Sequence, residues 1–329
     1  MKLENIPSPI IIQNFITESG AVYPYLPLSF TLSGQPLHSA PIVLVNHALT
    51  GNAQVTGENG WWSDLIGDGK TIDTHKFTIL AFNVPGNGND SFIIENYLDF
   101  KTRDIARIFL QGLEALQIEQ VFAIIGGSVG GGVAWEILAL APNITEHLIP
   151  IATDWKSTDW MIANCFLQEQ ILNNSSKPIE DARIHAMLCY RSPESFKEKF
   201  QRTINQDLLI FNIESWLAHH GNKLQKRYQL ASYKLMNQLL KTIDITRNSE
   251  DFETLISKSN AAIHIIAINS DLFFTPKENL ETYNELKKFK NNVSYSEIDS
   301  VHGHDAFLIE YKQLDHLLAD IFKAEKIAK

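Results

Sequence analysis

The stretch "VFAIIGGSVGGGVAW" (residues 121–135) opens with five apolar residues, turns through Gly126, Gly127, Ser128, Val129 and Gly130, and continues as a helical pattern. Gly126, Ser128 and Gly130 form G-x-S-x-G in a strand–turn–helix context, the setting that holds a nucleophilic serine. The glycines have a physical reason. A strand that passes straight into a helix makes a tight, strained turn, where side chains beside the serine clash with neighbouring backbone. The serine is then held at the top of a sheet, at a helix N-terminus that favours developing negative charge. The plainer alternative is a glycine-rich turn with an incidental serine, and the flanking strand and helix argue against it.

Outward from this turn the chain alternates. "PIVLVNH" (41–47), "FTILAFNV" (77–84), "HLIPIAT" (147–153) and "AAIHIIAIN" (261–269) are short, nearly continuous apolar runs, suited to a sheet covered on both faces. "TRDIARIFLQGLEAL" (102–116) puts Ile105, Ile108, Phe109, Leu113 and Leu116 on one helical face. Residues 131–141 and 276–289 have the same character. The order predicts an α/β fold with a mostly parallel sheet flanked by helices, preceded by an antiparallel pair near residues 8–33. Residues 155–255 break the alternation. "DWMIANCFLQEQIL", "DARIHAMLCY", "PESFKEKFQR" and "YQLASYKLMNQLLKTI" read as helices with no strand run between them. The expected organisation is a core of residues 1–154 and 256–329 with a helical insertion at 155–255. An insertion at the C-terminal edge of a parallel sheet lies where ligands bind, so it can serve as a lid.

Composition narrows the function. The 329 residues carry a formal net charge of −10 without a basic face, which argues against nucleic acid and anionic membrane as partners. "MKLENIPSPIIIQNF" has an apolar run too short for a signal peptide, and no stretch approaches a membrane span. Cys165 and Cys189 cannot build a disulfide framework or a metal site by themselves, and a cytoplasmic location is expected. No metal is expected.

A nucleophilic serine needs a base, and the base needs an orienting acid, here in the chain order Ser, Asp or Glu, His. Asp271, in "AINSDLFFTP", directly follows a strand run. His302 and His304, in "DSVHGHDAFL" (299–308), follow the next one, "NVSYSEID". Either histidine has the required position. His264 lies inside a strand run and reads as a satisfied core residue. His185 lies on a helical stretch of the insertion, facing the pocket or a partner. His219 and His220 read as surface residues.

Five blocks in order, "NHALTGNAQV", "GWWSDLIGDGKTIDT", "GGSVGG", "SDLFFTP" and "GHDAFLIE", resemble motifs of the homoserine O-acetyltransferases, acyltransferases of the α/β-hydrolase fold. The resemblance spans residues 41 to 310. It implies Ser128 as nucleophile, Asp271 as acid and His304, within "GHD", as base. It implies that the backbone N–H groups of Leu49, in "HALTG", and of Val129 form the oxyanion hole. Arg183 and Asp305 match residues that contact the amino-acid substrate, with Arg191 close enough in sequence to be confused with Arg183. Acetyl-CoA is implied as co-substrate, with no permanently bound cofactor. The acceptor is implied to be homoserine or a similar hydroxy amino acid in methionine biosynthesis, and a homodimer is expected through the lid helices. Two parts depart from the family pattern. "PGNGNDSF" replaces a glycine-rich loop ending in a Ser-Thr-Gly-Pro-like run, and the insertion is shorter around "NNSSKP". These parts shape the acyl and acceptor pockets, so the choices of acetyl or succinyl donor and homoserine or serine acceptor stay open. A serine esterase with the same triad is the competing reading.

Overall fold

The computed structural model describes residues 7–247 and 250–323. The first residues of the N-terminal stretch inspected for a leader lie outside them. An antiparallel ribbon of β1 (Ile10–Ile16) and β2 (Val22–Leu28) comes first. The main sheet contains β3 (Phe30–Gly34), β4 (Ile42–Asn46), β5 (Thr78–Phe82), β6 (Val121–Gly127), β7 (Thr145–Ile151), β8 (Ala262–Ile268) and β9 (Val293–Ile298). Across the sheet the order is β9-β8-β7-β6-β4-β5-β3. All neighbours are parallel except β3, which pairs antiparallel with β5 at the edge.

Every residue of β4 and β5 is buried because both faces of the sheet are covered. Alternation decides which cover each residue meets. Ile42 and Leu44 join the core with α1 (Thr102–Ala115) and α2 (Val129–Leu140), whereas Val43 and Val45 face α10 (Tyr311–Phe322). The apolar stripe of α1 packs as its 3.6-residue spacing predicts, and Leu116 falls at its C-cap, half-buried.

Between β7 and β8 the chain forms α3 (Asp159–Asn174), α4 (Pro178–Tyr190), α5 (Pro193–Phe200), α6 (Asn212–Gln225), α7 (Leu230–Lys241) and α8 (Phe252–Ser257). The expected helices are present, and α6 adds one that the pattern reading passed over. A short hairpin, Ile204–Asn205 with Ile210–Phe211, interrupts what was expected to be helix alone. Helix α8 reaches past the expected end of the insertion at residue 255. Two junctions tie the insertion to the core. Asp154, buried where the chain leaves β7, accepts hydrogen bonds from the Trp155 N–H and the Thr282 hydroxyl, and burial raises its carboxyl to about 7. On the return, Arg103 of α1 pairs with the buried Glu136 of α2 at 2.9 Å and donates to the carbonyls of Ile245 and Arg247. Arg247 in turn reaches Glu18 at 2.7 Å. Burial alone pushes the Glu136 carboxyl up, and the arginines oppose that.

Helix α9 (Pro276–Leu286) connects β8 to β9. A 3₁₀ turn, Gly303–Leu308, follows β9 at the same sheet edge as the turn after β6.

Candidate active site

Ser128 stands between β6 and α2 with φ 57° and ψ −130°, a region that non-glycine residues rarely occupy. Its N–H donates to the Ile151 carbonyl and its own carbonyl accepts from the Gly131 N–H, both at 2.9 Å, so the turn is held from each side. The motif glycines answer to contact. A Cβ on Gly126 would lie 2.5 Å from the Gly130 carbonyl carbon, and one on Gly130 would lie 2.4 Å from the Asn46 carbonyl oxygen. The sequence's G-x-S-x-G is therefore the backbone approach of β6, α2 and β4.

His304 projects from the 3₁₀ turn with Nε2 3.0 Å from the Ser128 hydroxyl and Nδ1 2.7 Å from Asp271 Oδ2. The other Asp271 oxygen accepts the N–H groups of Phe273 (2.7 Å) and Phe274 (3.1 Å). With both oxygens engaged, the buried carboxylate is fixed in orientation and its desolvation is offset. Ser128, His304 and Asp271 are 5%, 3% and 2% exposed. Phe274 stacks on the imidazole, while Phe273 and Phe307 meet it edge-on and Tyr190 lies tilted against it. An acceptor carboxylate at Nδ1 and a hydroxyl at Nε2 suit the imidazole to take a proton from serine and return it. His302 points elsewhere, with Nδ1 3.3 Å from both Arg191 Nη1 and the Ser195 hydroxyl.

Leu49 and Val129 flank the serine turn. Among the described residues neither N–H donates to a protein acceptor. The segment bearing Leu49 is braced from beneath and above. His47 Nε2 accepts from the Val84 N–H at 3.0 Å, which leaves the ring proton on Nδ1 to donate to the Ala48 carbonyl at 2.8 Å. Burial lowers the His47 pKa to about 4, so it stays neutral. From the insertion, the Tyr228 hydroxyl donates to the Leu49 carbonyl at 2.8 Å. The departing loop "PGNGNDSF" contributes Asn87, buried with its amide nitrogen 3.2 Å from His47 Nε2. The sequence reading named neither His47 nor Tyr228. His47 had a signal, a histidine at the end of an apolar strand beside the oxyanion block, but Tyr228 lies 179 residues from its partner.

Arg183 and Asp305 come to the site by different routes. Arg183 lies over the ring of Tyr190, 5.6 Å from its centroid, and has no carboxylate partner among the described residues. Asp305 is paired with Arg191, whose Nε is 3.1 Å from Oδ2. Behind Leu49, Tyr190 and Phe273 lies a small enclosed cavity into which α3 and α4 bring Gln168 and His185. His185 Nδ1 is 2.8 Å from the Gln168 amide nitrogen, and burial lowers its pKa. His264 is half-exposed rather than core. Its position at the start of β8 lets it meet His147 (3.1 Å) and Ser294 (2.9 Å). His219 is exposed and His220 half-buried. Both cysteines are free thiols, and burial pushes that of Cys165 up to about 12. No helix among the described residues is long and apolar enough to cross a membrane.

Comparison with known proteins gives the family. Residues 41–311 match the family model described as alpha/beta hydrolase fold. A homoserine O-acetyltransferase from Cyclobacterium marinum is 32% identical over 93% of this chain and 92% of its own length. The crystal structure of homoserine O-acetyltransferase from Staphylococcus aureus superposes with a TM-score of 0.83 at 26% identity, covering 99% of this chain and 98% of that one. Esterase E22 has the same fold, with a TM-score of 0.85 at 17% identity over 95% of this chain and 98% of its own. With a relative so similar along nearly its whole length and the fold matched throughout, this chain belongs to the homoserine O-acetyltransferase family within the alpha/beta hydrolase fold.

Proposed function

We propose that this protein moves an acetyl group from acetyl-CoA to the hydroxyl of homoserine through an acyl-Ser128 intermediate, a step of methionine biosynthesis in the cytoplasm. The observation that carries the reading is the hydrogen-bonded chain Ser128–His304–Asp271 in a member of this family. His304 Nε2 takes the Ser128 proton as Oγ attacks the thioester carbonyl. The N–H groups of Leu49 and Val129 receive the oxyanion, each good donor contributing about 3 kcal/mol. The tetrahedral intermediate collapses, the C–S bond breaks and His304 returns the proton to the departing CoA thiolate. Homoserine then gives its hydroxyl proton to His304 and attacks the acyl carbon, and the proton finally returns to Ser128. Arg183 is assigned to the acceptor's carboxylate and Asp305 to its ammonium, since a small zwitterion needs opposite charges at a set separation.

Water as acceptor would make the same machinery an esterase. The aromatic cover over His304 and the burial of Ser128 support transfer, because an acyl-serine shielded from water survives until the amino acid arrives. The test follows CoA thiol release from acetyl-CoA alone, with homoserine and with serine, identifying product by mass. Homoserine should accelerate release and yield O-acetylhomoserine. Fast hydrolysis of p-nitrophenyl acetate with no acceleration by any amino acid would decide for the esterase.

A further inference from the structure

The loop that carries the base is seated on the insertion rather than on the sheet alone. The end of α4, the turn after it and the start of α5 meet it at four of its residues. The Ser192 hydroxyl donates to the Val301 carbonyl at 2.5 Å. Arg191 Nη1 and the Ser195 hydroxyl both approach His302 Nδ1 at 3.3 Å. Arg191 Nε lies 3.1 Å from Asp305 Oδ2. Gly303, at φ 65°, is pressed against the same turn, and a Cβ there would lie 2.9 Å from the Tyr190 carbonyl oxygen. A guanidinium only donates, so the His302 nitrogen facing Arg191 is an acceptor and the ring proton sits on Nε2. One side chain therefore holds the residue two before the base and the residue one after it. Arg191 and Asp305 are 19% and 17% exposed, so the ion pair is partly shielded from water; it holds by charge and proximity, since the Arg191 Nε–H is not aligned for a hydrogen bond.

We propose that Arg191 is a positioning residue for the acceptor. Its charge keeps the Asp305 carboxylate where the incoming ammonium is received, and its contact with His302 keeps that carboxylate in register with His304. The proposal rests on the assignment of Asp305 to the acceptor's amino group. It makes the α4–α5 turn a part of acceptor recognition, and it gives the two arginines different roles. Arg183 touches substrate, whereas Arg191 acts through Asp305.

The test compares wild type, Arg191→Gln and Arg191→Lys in the full chain, with homoserine and with 4-hydroxybutanoate, which lacks the amino group. Rapid quench measures acyl-Ser128 formation, and steady-state rates give acceptor KM and kcat. Arg191→Gln should raise the homoserine KM roughly tenfold, the weight of one charge-assisted contact, while acyl-Ser128 formation falls less than acceptor kcat/KM does. With 4-hydroxybutanoate the loss should be no larger than the loss in acyl-Ser128 formation. Arg191→Lys should fall between wild type and Arg191→Gln, because an ammonium can pair with Asp305 but lacks the fork that also reaches His302. If Arg191→Gln does not fold, the same contrast between acceptors is read from Arg191→Lys. Equal losses with both acceptors, a matching loss of acyl-Ser128 formation, or a homoserine KM unchanged in either folded variant would overturn the proposal. Wild type that ignores homoserine would instead defeat the functional reading, and this proposal with it.

Discussion

At the scale of single residues, the site depends on one strained backbone and one imidazole with two distinct nitrogens. Ser128 keeps its unusual φ because hydrogen bonds from β7 and α2 hold the turn, so the strain does not depend on the hydroxyl. Ser128→Ala should thus fold as wild type does and lose nearly all turnover. Wild type given acetyl-CoA alone should gain one acetyl group on the Ser128 peptide by mass spectrometry. Acetylation of the Cys165 or Cys189 peptide in its place would remove Ser128 from the mechanism. The two histidines of "VHGHD" should also separate cleanly. His304→Ala deletes the group between hydroxyl and carboxylate and should lower kcat by several orders of magnitude. His302→Ala removes only contacts to Arg191 and Ser195 and should cost much less. The reverse ranking, measured in folded variants, would reassign the base.

At the scale of elements, the segment after β4 presents Leu49 to the nucleophile, and His47 holds it. The folded-state pKa of His47 is about 4 against an ordinary 6.5, so an unfolded chain takes up this proton first as the pH falls. Its contribution to stability is whole above pH 6.5 and declines as the pH drops towards 4. The difference between 6.5 and about 4 corresponds to about 3 kcal/mol. Urea unfolding of His47→Gln should show lower stability than wild type at pH 7.5 and less dependence on pH between about 6.5 and 4.5. Parallel pH profiles for the two proteins would show that His47 does not carry this linkage. Acyl transfer by His47→Gln should also slow, because the Val84 N–H and the Ala48 carbonyl lose the group that joins them.

At the scale of the whole molecule, the insertion leaves large apolar side chains in solvent. Trp160, Phe166 and Leu167 on α3 and Leu188 on α4 are all exposed, Phe166 at 55%. Large apolar side chains left in solvent on neighbouring helices are the kind that a contact face covers. We propose that a second copy covers it, and sedimentation velocity should show a dimer. Phe166→Glu combined with Leu167→Glu should sediment as a monomer with the Ser128–His304 geometry intact. A wild type that sediments as a monomer at micromolar concentration would end this proposal.

The alternation of apolar runs and amphipathic stretches was enough to place six of the seven strands of the main sheet, because burial on both faces and one-sided helix packing are written locally in the side chains. The serine turn was legible for a similar reason, since the glycines that permit it stand beside it. Helix α6 was missed, as "NIESWLAHHGNKLQ" buries only Gly221 and Leu224 and presents a weak apolar stripe. The composition of "VHGHD" allowed either histidine as base, and the resemblance, with the turn that Gly303 permits before His304, chose between them. In the folded chain the choice lies in direction: Nε2 of His304 turns to Ser128, 176 residues away, while His302 turns to the α4–α5 turn. Asp305 shows the same limit. Its charge was visible, but its engagement by Arg191 rather than Arg183 depends on how an inserted helix pair lies across the sheet edge. Local side chains set most of the elements and which residues can do chemistry, since propensity, periodicity and turn sterics act over a few residues. Tertiary structure decided which of them meet, because those contacts join segments more than a hundred residues apart and depend on packing that no local pattern encodes.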